Sequence, residues 1–408
     1  MTGDNRGSML KPLLALPRTV WLIGLISLLN DSASDMIYPL VPLYLASVLM
    51  AGPRALGIIE GIAEATASLL KLFSGVIVDR THRAKPWVVA GYALAGFARP
   101  LIAFATSWTG VLVLRFADRV GKGLRTSPRD ALLAASVAPT QRGLAFGLHR
   151  SMDHAGAVVG PLMAALLLGL GWSLQEVILY ALWPAVLCLL LALWLKEPRH
   201  DGLRPATPPF SWRMNGLPAS FKRYIAVVAL FTLGNSSNMF LLLRARELGL
   251  PEAQVPLAWA GVAAIAMAFS TPLSAWSDRV GRKRLLTAGW AAYGVFYLGL
   301  GLAPPATPWL LFALFAFYGL FLAATEGVEK ALVADLAPEG LRGTAFGWFN
   351  LTAGLLLLPA SVIFGEIYQQ AGALAAFAFS AGCALTAAGL LPLWALRAAA
   401  RDNPKNRS

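Results

Sequence analysis

Apolar runs of about 20 residues, the length a bilayer-crossing helix needs, recur along the chain between short charged stretches and Gly/Pro turns. Six lie at 18–48, 56–78, 87–106, 108–136, 143–170 and 174–196, and six more at 222–246, 255–277, 285–303, 308–336, 343–370 and 373–396. Between the sets, 197–221 carries Arg199, Arg204, Arg213 and several prolines, the one long polar linker. The pattern predicts an all-α membrane protein of twelve transmembrane helices: a six-helix bundle over 1–196, a cytoplasmic linker over 197–221, and a second bundle over 222–408 with a short cytoplasmic tail. The first run follows Arg6, Lys11 and Arg18, is too long for a signal-peptide core, and reads as a retained helix.

One span needs an argument. The stretch after Trp108 contains Arg115, Asp118, Arg119, Lys122, Arg125, Arg129 and Asp130 and could pass for a loop. As a loop it would leave 108–114 too short to span and would invert every later helix. The charges are therefore expected inside a helix.

Composition agrees. Of 408 residues, 57% are hydrophobic and 13% charged, against about 25% charged in ordinary soluble domains, and the mean hydropathy is +0.62. Disorder is excluded and an aqueous enzyme disfavoured. The net charge of +13 would suggest nucleic acid in a soluble protein, but its placement says otherwise. With a cytoplasmic N-terminus, Arg80, Arg83, Lys85, the linker, Arg279, Arg282, Lys283, Arg284 and the tail cations share one side, as cytoplasmic loops do. Arg54, Arg244 and Arg246 are the main exceptions. Both termini are thus expected in the cytoplasm, with the chain in a bacterial-type inner membrane and no nucleic-acid partner. Cys188 and Cys383 both lie within spans, so neither a disulfide framework nor a cysteine metal site follows.

The two sets are related. Arg142 to Gly147 recurs as Arg342 to Gly347, 200 residues later, and Ala131 to Ala134 matches Ala331 to Ala334 at the same offset. Asp79-Arg80 recurs as Asp278-Arg279, and Asn30 to Met36 loosely echoes Asn235 to Met239. Duplicated halves are the construction of transporters with a midplane site.

Gly75 to Lys85 resembles the signature loop between helices 2 and 3 of the major facilitator superfamily, and Ser274 to Arg284 resembles its second-half copy, with Ser274 where the pattern has Gly. The resemblance implies a two-half, twelve-helix transporter. It also implies that Gly75, Asp79, Arg80 and Arg83, with Asp278, Arg279, Gly281 and Arg282, form a conformational gate on the cytoplasmic face. Gly147, Gly156, Gly160 and Pro161 are similar to the fifth-helix motif of proton-coupled exporters in that superfamily, and Arg119 to Arg125 resembles its fourth-helix motif, with Lys122 replacing the usual amide. Independently, Gly156 and Gly160 at i, i+4 let helices approach closely, and Pro161 favours a bend; ordinary packing explains them too.

Ionisable groups inside a membrane normally face a cavity or a partner. Asp31 and Asp35 share a face of the first span, Arg115, Arg119, Lys122 and Arg125 form a cationic stripe on the fourth, and Arg150 and Asp153 lie three apart on the fifth. Part of the stripe is expected to pair with Asp31, Asp35, Asp118 and Asp153. Counting Arg150, five cations face four carboxylates, so a guanidinium is left to meet an anionic substrate group, which its planar fork suits. Asp35, then Asp31, is the candidate proton carrier, with a permanent salt bridge as the plain alternative. Glu60 and Glu64 are expected to line an entrance. His149, Asp153 and His154 could ligate a metal, but Arg150 would repel a divalent cation and no metal is assigned. The second half contributes Asn235, Asn238 and Glu326, while Tyr293, Tyr318, Trp259 and Trp348 read as packing. Glu329 and Lys330 reverse the charge order of Arg129 and Asp130, which suggests contacts between halves.

The sequence therefore predicts a monomeric secondary transporter without cofactor, exporting a small anionic or amphipathic compound in exchange for protons. Proton-linked import of an organic anion, divalent-metal export and a non-transporting sensor of the same fold are its rivals. No nucleophile-base set or aqueous domain suggests an enzyme.

Overall fold

The computed structural model describes residues 15–81, 83–138, 141–197, 214–338 and 341–396. Its helices, in chain order, are α1 (Arg18–Ile37), α2 (Leu40–Ser47), α3 (Pro53–Thr81), α4 (Lys85–Ala98), α5 (Trp108–Ala135), α6 (Arg142–Gly169), α7 (Leu174–Tyr180) and α8 (Leu182–Leu193). They continue as α9 (Ala219–Gly234), α10 (Met239–Glu247), α11 (Gln254–Val280), α12 (Arg282–Leu302), α13 (Pro308–Leu336), α14 (Arg342–Ala371) and α15 (Ala373–Leu390). Each of the twelve apolar runs is helical. Among the described residues, nine helices or helix pairs are long and apolar enough to cross a membrane. The charged stretch after Trp108 is helical to Ala135, as the length argument required.

Four runs are interrupted, and local chemistry accounts for the clearest cases. Pro39 has no N–H for the ladder, and α1 gives way to α2 around it. Pro100 likewise ends the α-helical part of the third run, which finishes as a 3-10 turn over Pro100–Phe104. Between α9 and α10 the chain unwinds over Asn235 to Asn238, short polar residues whose side chains compete with the helix for backbone partners. Here the Ser237 hydroxyl accepts the Met239 amide at 3.3 Å. The echo between Asn30–Met36 and Asn235–Met239 is therefore not one of conformation, because the first copy stays helical. At α7, Ser173 and Glu176 form a reciprocal capping box, with the Ser173 amide donating to Glu176 Oε2 at 2.7 Å. Gly281, at φ +97°, makes the turn between α11 and α12 that a side chain would strain.

The repeat is visible in the element boundaries. α5 and α13 begin at residues 108 and 308, and α6 and α14 at 142 and 342, reproducing the sequence offset.

The contacts define two compact units: the described parts of Met1–Leu40, Leu70–Ala105 and Val113–Arg204, and those of Val41–Leu69, Thr106–Leu112 and Pro205–Ser408. Val41–Leu69 and Thr106–Leu112 pack with the second unit. In the first unit, α1 packs along α6 and α8, and α4 along α8. Its core includes Val20, Ile23, Ile26, Val88, Tyr92, Leu132, Leu133 and Cys188. In the second unit, α11 packs on α13 and α12 on α15. Trp290 stacks on Phe231 at 4.5 Å within a cluster that includes Tyr293, Tyr297, Tyr318 and Phe321. Trp183, Trp194 and Trp309 stay exposed, as suits a surface facing lipid rather than water.

Candidate functional site

The stripe on α5 points inward. Arg115, Arg119 and Arg125 are at most 4% exposed, whereas Val113 and Phe116 on the opposite side are 64% and 44% exposed. This helix is polar inside and apolar outside, the reverse of a water-soluble one. Asp118 is fully buried at the centre. Its Oδ2 accepts from Arg115 Nη1 at 3.3 Å and lies 3.7 Å from Arg119 Nε. Its Oδ1 accepts from Arg99 Nε at 2.6 Å.

Arg99 is a site residue that the sequence reading missed. It caps the end of α4, is 2% exposed, and also donates through Nη1 to Asn30 Oδ1 at 3.1 Å and to the Asn30 carbonyl at 3.3 Å. The signal was present: a lone arginine inside the run 87–106 meets the same criterion that singled out the other intramembrane charges. Arg150, by contrast, is exposed, within electrostatic reach of His149 and Asp153. Arg99 joins the interior cations.

Arg125 is held differently. Its guanidinium carbon lies 4.7 Å from the centre of the Tyr92 ring, a cation–π contact. Its Nε and Nη1, both buried, have no hydrogen-bond partner among the described residues. Lys122 is half-buried on the same face.

Asp31 and Asp35 are both half-buried on α1. Asp31 Oδ1 accepts from Asn30 Nδ2 at 2.6 Å. Asp35 lies within electrostatic reach of Asp31, Lys122, Arg119 and Arg99. The α6 glycines position both carboxylates: a Cβ at Gly156 would lie 2.5 Å from the Leu28 carbonyl oxygen and 3.0 Å from Asp31 Cβ, and one at Gly160 would lie 2.7 Å from the Met36 amide nitrogen. The helix continues through Pro161. Gly147 takes no part in this packing, since it is exposed with nothing within 4 Å of where a side chain would begin.

Asp153 belongs to a second network. His149 is hydrogen-bonded through Nε2 to Ser27 Oγ at 2.8 Å, and its Nδ1 lies 3.5 Å from Asp153 Oδ2, which fits the tautomer with the proton on Nδ1. Arg129 donates to Ser27 Oγ at 3.4 Å and pairs with Asp130 at 3.0 Å.

In the second unit, Asn235 and Asn238 flank the break and accept from Tyr293 at 3.3 Å and from Tyr318 at 2.6 Å. Glu326 is exposed, 3.9 Å from Lys330, and Glu329 accepts from Trp290 Nε1 at 2.9 Å. Glu60, expected at an entrance, is instead 1% exposed and lies 3.4 Å from Ser237 Oγ.

Of the gate residues, Arg83 and Arg279 are exposed. Arg282 pairs with Asp335 and donates to the Ala331 carbonyl at 3.1 Å. The side chains of Gly75, Asp79, Arg80 and Asp278 lie outside the described residues. The first amides of α4 are met by Glu197, which accepts from Ala84 N and, at 3.4 Å, from Lys85 N.

The Major Facilitator Superfamily profile matches the chain twice, over residues 21–241 and 224–408. The chain belongs to this superfamily. An uncharacterized MFS-type transporter of Methanocaldococcus jannaschii is 36% identical over 361 residues, 87% of this chain and 89% of that protein. The multidrug resistance protein MdtH of Photorhabdus laumondii is 26% identical over 330 residues, 78% and 79% of the two chains. Among solved structures, a peptide transporter, POT, in complex with sulfate aligns with a TM-score of 0.77 at 13% identity, over 98% of this chain and 99% of that one. The chain is thus a multi-pass membrane transporter of the major facilitator fold, with twelve helices in two pseudo-symmetric halves.

Proposed function

We propose that this transporter exports small anionic or amphipathic organic compounds in exchange for protons, with its termini in the cytoplasm. The carrying observation is Arg125, a buried guanidinium with two nitrogens lacking hydrogen-bond partners among the described residues, beside three more buried arginines grouped on a single buried carboxylate. Buried polar groups are ordinarily satisfied, so an acceptor-rich ligand is the natural complement. Asp35 and Asp31 are the proton carriers, and alternating access supplies the differential contacts that coupling requires. Efflux is supported by the MdtH relatives, whose name denotes multidrug resistance, and by the α6 glycines that pack on the Asp31–Met36 turn.

A second reading, proton-linked import of an organic anion, is favoured by one feature. Asp35 faces Arg99, Arg119 and Lys122, and Asp31 faces Arg125, so neutralising either carboxylate strengthens the positive field offered to an anion. Proton and anion binding would then reinforce each other.

The test is a panel of organic anions in everted vesicles, recording substrate-induced proton movement. The export reading expects anion-dependent proton efflux from acidified vesicles, and proton movement of the opposite sign selects import. Arg125→Ala should raise the half-saturation concentration by about tenfold or more, since hydrogen bonds to charged groups are worth about 1.5–3 kcal/mol. Asp35→Asn should abolish accumulation against a gradient, and unchanged pH-driven transport in that variant would remove Asp35 from the coupling role.

A further inference from the structure

A hydrogen-bonded chain joins α1 to the α5 guanidiniums by way of α4. Asn30 donates through Nδ2 to Asp31 at 2.6 Å and offers its other amide atom, Oδ1, to Arg99 Nη1 at 3.1 Å. Arg99 passes on to Asp118 Oδ1 at 2.6 Å, and Asp118 Oδ2 in turn holds Arg115 at 3.3 Å. Asn30, Arg99, Asp118 and Arg115 are each at most 3% exposed, so water does not screen the chain.

An amide that donates to an anion becomes a better acceptor at its oxygen, because hydrogen bonds in series polarise one another. Ionised Asp31 therefore draws Arg99 toward Asn30, and neutral Asp31 relaxes that pull. Arg99 then leans more on Asp118, where it competes with Arg115 and Arg119 for the same carboxylate. The geometry points to Arg99, positioned by Asn30, as the residue that links the proton on Asp31 to the hold of Arg115 and Arg119 on an anionic substrate. This rests on the proton-coupled anion reading above, and its sign, a proton on Asp31 freeing Arg115 and Arg119 for the anion, is that of the second reading, import. Other groups face Asp31: Asp35 from its own helix, Arg125 from α5, Asp153 from α6 and Cys188 from α8. They set its field without bridging it to Asp118, so the measurement must follow Asp31 itself.

Infrared difference spectra of the full chain in lipid vesicles, titrated from neutral to acidic pH, would identify the Asp31 carboxyl band as the one missing in Asp31→Asn. The probe anion is salicylate, with binding followed separately by tryptophan fluorescence. In the wild type, salicylate should move the Asp31 titration. In Arg99→Gln the movement should vanish while salicylate still binds, and Arg99→Lys should restore part of it. Asn30→Ala, which leaves the Arg99–Asp118 pair in place, should behave like Arg99→Gln and covers the case in which that variant fails to fold. A merely structural role for Arg99 would lower stability without uncoupling the two signals. An undiminished salicylate-induced movement in Arg99→Gln or in Asn30→Ala overturns the link. A wild type that binds no salicylate, or binds it with no effect on Asp31, defeats the underlying anion-and-proton reading instead, and the link with it.

Discussion

Asp118 shows how much one buried residue can hold. Arg99, Arg115 and Arg119 converge on its two oxygens with no exposed surface, and charges taken out of water are tolerable only when paired. Removing the carboxylate leaves three guanidiniums repelling one another. Asp118→Asn is therefore expected to destabilise the protein by about 3–5 kcal/mol, read as a lower denaturation midpoint in detergent, with transport lost as the folded fraction falls. Arg150 is the opposite case. It makes no contact with Asp118 among the described residues and is exposed, so Arg150→Ala should leave stability and half-saturation within about twofold of wild type, as surface substitutions usually do. The intramembrane-charge criterion finds Arg99 and Arg150 equally well; only packing separates them.

Between elements, glycine decides how near two helices can come. At Gly160 a Cβ would run into the Ser32 carbonyl and lie 2.7 Å from the Met36 amide, both backbone groups that cannot swing aside. Gly160→Ala should push α1 off α6, displace Asp31 and Asp35, and reduce transport more than it reduces the amount of folded protein recovered by size-exclusion chromatography. Gly147→Ala, four turns earlier in a motif of the same apparent kind, meets nothing and should be silent in both assays. The broken helix pair α9 and α10 makes the same point for polar residues. Its Asn and Ser residues are legible as a weak spot, but the bonds from Tyr293, Tyr318 and Ser361 that hold the break come from helices far away in sequence.

For the whole molecule, the second unit contains a crossing between α3 and α14. A Cβ at Gly57 would lie 3.1 Å from the Ser361 carbonyl carbon, one at Gly61 2.9 Å from the Leu358 carbonyl oxygen, and one at Gly365 2.7 Å from the Pro53 carbonyl oxygen. Arg54 pairs with Glu366 at 3.0 Å at the end of this crossing, and Glu60 is buried beside it. In the alternating-access cycle proposed above, this crossing is expected to part. Gly61→Leu should hold it open, raising the labelling of Ser237→Cys by an impermeant maleimide in a background with Cys188 and Cys383 replaced by serine. Arg54→Ala should change stability by under about 1 kcal/mol, because an ion pair this exposed is largely solvated.

The sequence by itself determined the class, the twelve helical runs, the helical nature of the charged fourth run and the duplication, because apolar length, cation placement and recurrence at a near-constant offset are properties of order along the chain. It also placed Asp31, Asp35, Arg115, Arg119 and Arg125 where intramembrane charge demands an explanation. What the tertiary structure decided was partnership: that Asp118 gathers Arg99, Arg115 and Arg119 on its two oxygens, that Arg99 joins the interior cations while Arg150 is exposed, that Arg125 rests on a ring and Glu60 is buried. Which face of a helix meets which neighbour depends on the packing of segments tens of residues apart, and a charged side chain long enough to reach several carboxylates settles on one only when all of them are in place.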